Sequence, residues 1–190
     1  MYTTKKFEHI IGIPGFSEDL LHDHFTLYEG YVKSTNVLLE KMAKIDMSTP
    51  EGAEMRRRFG WEYNGMKLHE LYFGNITKDA EELDPESNIG QRLGEEYGSL
   101  ETWEKDFRTA GSARGIGWVI LSEDPDTGGL LNTWVNEHDA GHCAGATPLL
   151  VMDVFEHAYL KDYGLKRAEY IDAFMKAIDW RVVERRMRSK

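Results

Sequence analysis

Two segments of helical periodicity, residues 17–45 and 50–75, are separated by little more than the turn-prone interval DMSTP. No other feature constrains the fold as strongly, because long helices joined by a short loop pack as an antiparallel hairpin. Ser17 stands where an N-cap is needed, with Glu18 and Asp19 in the first turn. Leu20, Leu21, His24, Leu27, Tyr28, Tyr31, Val32 and Thr35 recur at helical spacing. The second segment opens on Pro50, with Glu51 and Glu54 in its first turns. Trp61, Leu68, His69, Tyr72 and Phe73 are its candidates for a packed side.

A polar stretch, KDAEELDPESN, places a boundary at about residues 76–88 and divides the chain into an N-terminal hairpin, 1–82, and a second domain, 83–190. Beyond it SLETWEKDFRTAG reads as an amphipathic helix. GIGWVILS and LLNTWVNE flank EDPDTGG, a turn rich in Asp, Pro and Gly, and read as a β-hairpin. TPLLVMD is a third strand, and residues 167–187 are expected to form one closing helix. The predicted class is α+β: a helical hairpin, then an α/β domain with a small three-stranded antiparallel sheet.

Composition excludes several functions. A hydrophobic fraction of 41% supports a packed core, and a net charge of −10 argues against non-specific nucleic-acid binding. The one cysteine, Cys143, excludes an intramolecular disulfide and a multi-thiolate zinc site. No apolar run approaches the ~20 residues that span a bilayer. The N-terminal MYTTKKFEHIIGIPGF lacks the apolar core of a secretory signal. The expectation is a cytoplasmic protein with no membrane contact.

Three ionisable side chains crowd the segment DVFEHAY, 153–159, directly behind the apolar TPLLVM. Should that segment leave the strand as a helical turn, Asp153 and His157 would share a face and could bind one ion. Two further histidines lie on apolar helix faces, His24 among Leu20, Leu21, Leu27 and Tyr28, and His69 beside Leu68, Tyr72 and Phe73. A lone histidine of this kind is more often a satisfied core residue. Together the four would make a three-histidine, one-aspartate set, which suits a redox-active first-row metal better than zinc or magnesium. Spacing by itself leaves their convergence open.

DVFEHAYLKDY resembles the DVWEHAY signature of the iron/manganese superoxide dismutases. RAEYIDAFMKAIDW (167–180) is similar to that family's closing segment, GIGWVI (115–120) to its GSGWxW strand, and YVKSTN (31–36) to its YVxxLN helix segment. The resemblance implies a helical hairpin followed by an α/β domain, and dismutation of superoxide at one iron or manganese ion per subunit. The implied ligands are His24, His69, Asp153 and His157. His22 competes with His24 for the first position, and helical phase favours His24, which shares a face with Tyr28, Tyr31 and Thr35.

The resemblance also implies Tyr31 as the gateway tyrosine and His138 as the residue bonding the metal's solvent ligand, with His142 ranked below it. Gly65, lacking a side chain, is expected to leave room for His138. Glu156 and Tyr159 are implied at a homodimer interface, although the tyrosine's usual helix-one histidine partner is replaced by Leu27 or Tyr28. Phe155 replaces the usual tryptophan. Val151 and His138 tilt the metal towards iron, with use of either metal left open. The paired Glu-x-x-His motifs of a di-iron bundle and the HExxH motif of zinc proteases are absent. The alternative is a non-enzymatic module that keeps the fold as a metal-binding or interaction unit.

Overall fold

A computed structural model describes residues 1–187. Helix α1, Glu18–Met42, begins where Ser17 Oγ accepts from the Leu20 amide at 3.1 Å, and it stops short of the expected residue 45. Helix α2, Pro50–Gly74, has Pro50 in its first turn and Thr49 as its cap, Oγ1 accepting from Gly52 N at 3.2 Å. The two helices pack along their lengths, burying Leu20, Leu21, Tyr28 and Val32 of one against Leu68, Tyr72 and Phe73 of the other. Ahead of them Ile10, Ile13 and Phe16 are buried, so the FEHIIGIPGF segment belongs to the core.

Helix α3, Asn88–Tyr97, lies in a stretch whose sequence signal is weak, since Gly90 and Gly94 dilute the apolar period of Ile89, Leu93 and Tyr97. Its C-cap Gly98 takes a left-handed φ of 81°, and Ser99 then caps α4, Leu100–Ser112. Strands β1 (Gly117–Glu123), β2 (Leu130–Asn136) and β3 (Thr147–Asp153) form an antiparallel sheet in the order β2-β1-β3. Central β1 is buried along its whole length, as a strand covered on both faces must be. Register sets Trp118 opposite Asp153, and a bulge falls between Leu121 and Ser122.

The single helix expected over 167–187 is two: α6, Arg167–Lys176, and α7, Trp180–Arg186. Between them the backbone pairs with residues 75–77, just beyond α2. Ile178 bridges Ile76, Thr77 N donates to Ala177 O at 2.8 Å, and Asp179 N donates to Asn75 O at 3.0 Å. Asp179 then caps α7 through Arg181 N at 3.1 Å. A longer helix would forfeit those bonds, and helical period does not register them. Arg186 completes the tie, donating to Leu149 O at 2.7 Å and Leu71 O at 2.9 Å. A four-residue helix α5, Leu160–Tyr163, follows the DVFEHAY segment.

Candidate metal centre

Four side chains from three parts of the chain meet between the hairpin and the sheet. One ligand-capable atom from each of His24 (α1), His69 (α2), Asp153 (the end of β3) and His157 lies within 4.8 Å of the others. Asp153 Oδ2 is the hub, at 3.2 Å from His24 Nε2, 3.7 Å from His69 Nε2 and 3.1 Å from His157 Nε2. His22, by contrast, is exposed, its ring 6.2 Å from that of Phe25.

Asp153 and His157 do not meet by sharing a helix face. Val154 N continues the ladder to Gly117 O, Phe155 is extended, and only Glu156–Ala158 forms a short 3-10 turn. Asp153 Oδ1 accepts from Phe155 N at 2.8 Å, which turns the chain back and delivers His157 to Oδ2. From behind, Tyr170 Oη donates to the Asp153 carbonyl at 2.6 Å.

The second histidine has one available tautomer. His69 Nδ1 lies 2.6 Å from Gly65 O, and a carbonyl only accepts, so the proton is on Nδ1 and the Nε2 lone pair faces the cluster. The Nε2 atoms of His24 and His69 are both buried without a hydrogen-bond partner, His24 Nε2 lying near Asp153 at an unsuitable angle. A buried acceptor left unpaired costs about 1–3 kcal/mol unless something satisfies it. Two such nitrogens converging on one carboxylate fit a cation.

Protonation states agree with that fit. Burial lowers the pKa of His24 and lowers that of His69 further, the charge of His24 adding to the second shift. Both imidazoles are therefore neutral at pH 7, the form that binds metal. Burial would raise the Asp153 carboxyl, but His157 and His24 outweigh it and hold the group well below the usual carboxylate range.

Beside the cluster runs a chain of polar rings. Trp118 Nε1 donates to His138 Nδ1 at 3.1 Å, and Tyr31 Oη is 2.7 Å from His138 Nε2. An indole N–H is only a donor, so Nδ1 is the acceptor and Nε2 carries the imidazole proton. His138 thus donates to Tyr31, and the hydroxyl hydrogen of Tyr31 is left for another acceptor. Burial lowers the His138 pKa to about 4 and raises that of Tyr31 to about 12, so both are neutral around pH 7. The loop before β3 supplies His138 through Glu137, which adopts a left-handed φ of 58°.

The space next to Gly65 Cα is taken by Tyr31. A Cβ there would stand 2.6 Å and 2.7 Å from Tyr31 Cδ1 and Cε1, so the missing side chain admits the Tyr31 ring. That ring is stacked on His69 at 5.2 Å and reaches His138 with its hydroxyl. His142 Nε2 is bonded to His138 O at 2.8 Å and faces its own loop. Glu156 is exposed, whereas Tyr159 is 5% exposed, its hydroxyl accepting from Arg167 of the same chain at 3.1 Å.

The sequence reading missed Trp118 as the partner of His138, because that contact follows from strand register. Gly65 O was findable, being four residues before His69 on the same helix. Phe73 stands 4.8 Å from His24 and Trp118 5.0 Å from His69, ring to ring, so aromatic side chains flank these two histidines.

The family model for the C-terminal domain of iron/manganese superoxide dismutases matches residues 85–186. Over 174 residues the chain is 37% identical to a protein named as an iron superoxide dismutase from Cupriavidus metallidurans, covering 88% of this chain and 86% of that one. It is 34% identical over 170 residues to one named as a manganese superoxide dismutase from Haloferax volcanii, covering 88% and 84%. Identity to an iron superoxide dismutase from Aquifex pyrophilus is 34% over 183 residues, covering 92% and 85%. With a helical hairpin, a three-stranded antiparallel sheet and a buried three-histidine, one-aspartate cluster between them, the chain belongs to the iron/manganese superoxide dismutase family.

Proposed function

We propose that the protein disproportionates superoxide into dioxygen and hydrogen peroxide at one iron or manganese ion held by His24, His69, Asp153 and His157. The observation that carries this reading is the pair of buried, unpartnered Nε2 atoms converging on one carboxylate. A bound ion supplies the one-electron couple that takes an electron from one superoxide and returns it to the next. Three neutral imidazoles and one carboxylate leave a trivalent ion with two positive charges, which favours an anionic substrate.

Peroxide formation consumes two protons, and the chain's own groups manage them. Tyr31 keeps its hydroxyl hydrogen because His138 supplies the proton of their shared bond. Trp118 fixes the His138 tautomer that makes this so. His69 is oriented by Gly65 O and Asp153 by Phe155 N, the outer hydrogen bonds that tune a metal's ligands. His157 Nε2 lies 3.1 Å from Asp153 Oδ2, so a bound ion takes the place of that contact.

Of the two metals we propose iron, on the valine at 151 and the histidine at 138. A homodimer and a cytoplasmic location complete the reading. Glu156 is exposed and lines a groove with Leu165, which is 93% exposed, and the His157 side chain keeps 28% exposure that a second copy would cover. Tyr159, committed to Arg167, adds packing rather than a hydroxyl to that contact. No described helix is long and apolar enough to cross a membrane, and Cys143 is free and exposed, which suits a reducing compartment. The division into 1–82 and 83–190 belongs to the same proposal, and a family match that starts at residue 85 supports it.

The test is metal analysis and superoxide consumption on separately iron- and manganese-loaded protein. Activity with at least one metal is expected, and inactivity with both at full occupancy would leave the non-enzymatic reading. His24→Ala should lose metal and activity while His22→Ala keeps both; the reverse pattern refutes the ligand set.

A further inference from the structure

The helix face that carries His69 and Gly65 runs outward through Glu62 and Trp61 to Arg58, each one turn from the last. Burial falls along it, from His69 at 0% through half-buried Trp61 to Arg58, whose side chain is 49% exposed. The Trp61 ring stands 4.8 Å from the His138 ring, and the Arg58 guanidinium lies 5.3 Å from the Trp61 ring centroid. Arg58 donates through Nε to Glu62 Oε1 at 2.8 Å, and Glu62 is only 6% exposed. The pair is therefore a dipole with its carboxylate inside and its cation outward, braced on an aromatic face.

On the His138 side of the cluster Tyr31 and Trp61 are partly exposed and Arg58 is exposed. Glu62 and Glu137 act on Tyr31, and Asp139 acts on His138, all with negative charge, whereas Arg58 acts on both with positive charge. An anion approaching a chain of net charge −10 needs a local positive field, and a cation at a low-dielectric opening provides one.

We propose that Arg58, held by Glu62 and Trp61, is the cation that docks the substrate anion at the entrance beside Tyr31 and His138. This rests on the superoxide dismutase reading. A pair that only braced its own helix would touch no anion.

Azide, an anion that competes for the metal, separates the two possibilities by visible-spectrum titration of the metal-loaded full chain at several ionic strengths. Arg58→Gln should weaken azide binding and lower kcat/KM for superoxide by at least about threefold, flattening the salt dependence of both. Arg58→Lys should retain most of each. Glu62→Gln should shift both quantities the opposite way from Arg58→Gln, whereas a merely structural pair would make both substitutions harmful. Unchanged azide affinity and salt slope in Arg58→Gln, at full metal occupancy, overturns the assignment. A wild-type protein that binds metal and azide but consumes no superoxide defeats the dismutase reading instead, and the azide comparison still decides the role of Arg58.

Discussion

Gly65→Ala tests the packing that holds the proton chain together. Gly65 lies inside α2, where alanine is normally better by about 0.8–1.0 kcal/mol. Here the new Cβ would meet three atoms of the Tyr31 ring at 2.6, 2.7 and 3.0 Å. Ordinary carbon contacts are ~3.5–4.0 Å, so the ring must withdraw by about 1 Å. The same movement stretches the 2.7 Å bond to His138 beyond hydrogen-bonding distance. Overpacking costs about 1–3 kcal/mol and the lost bond about 1 kcal/mol, against the helix gain of about 1 kcal/mol. The net expectation is about 1–3 kcal/mol of destabilisation, a fall of roughly 5 °C in Tm for a chain of this size.

Thermal unfolding of the metal-free protein measures the first effect. Superoxide turnover at matched metal content measures the second, where a misplaced proton donor costs on the order of tenfold or more. In a Tyr31→Ala background Gly65→Ala should instead stabilise, because the obstructing ring is gone and the helix term remains. Higher stability of Gly65→Ala in the wild-type background, with turnover unchanged, would refute the reasoning.

Trp118→Phe removes the donor to His138 Nδ1 and should cost about 1–3 kcal/mol. Long-range proton–nitrogen spectra of the metal-free protein should then show a mixture of His138 tautomers in place of one; a single unchanged tautomer would contradict the lock. Arg186→Met cuts the bonds to Leu149 O and Leu71 O, and chemical denaturation should register a loss of ~3 kcal/mol. A change within 0.5 kcal/mol, the range of an ordinary surface substitution, would mean that α7 is held by its apolar face alone.

The metal-free protein should also lose stability in mild acid. His24, His69 and His138 have folded pKa values below the unfolded value of about 6.5, so below that pH the unfolded chain binds more protons. Stability is then level above pH 6.5 and declines as the pH falls through about 4, the folded value of His138. His138 alone contributes on the order of 2 kcal/mol after allowance for solvent screening. A flat profile of denaturation midpoints between pH 7.5 and 4.5 would refute it.

Helices α1 and α2, the cap at Ser17 and the three strands are legible from the residues, because helical periodicity, capping and short apolar runs bounded by turns are local. Asp153 and His157, by contrast, meet through a turn that their spacing did not predict. The break at 177–179 is not legible either, since it exists to pair with residues 75–77, a partner no local window contains. The convergence of His24 and His69 on Asp153 has the same character. Each sits on an apolar face as any core histidine would, and only the packing of hairpin against sheet brings their Nε2 atoms to one point. Register did the rest. Setting Trp118 opposite Asp153 points an indole N–H at His138, selects its tautomer and leaves Tyr31 its proton. The ligand types were written along the chain, but the distances and proton positions that make them a site depend on contacts between residues far apart in it.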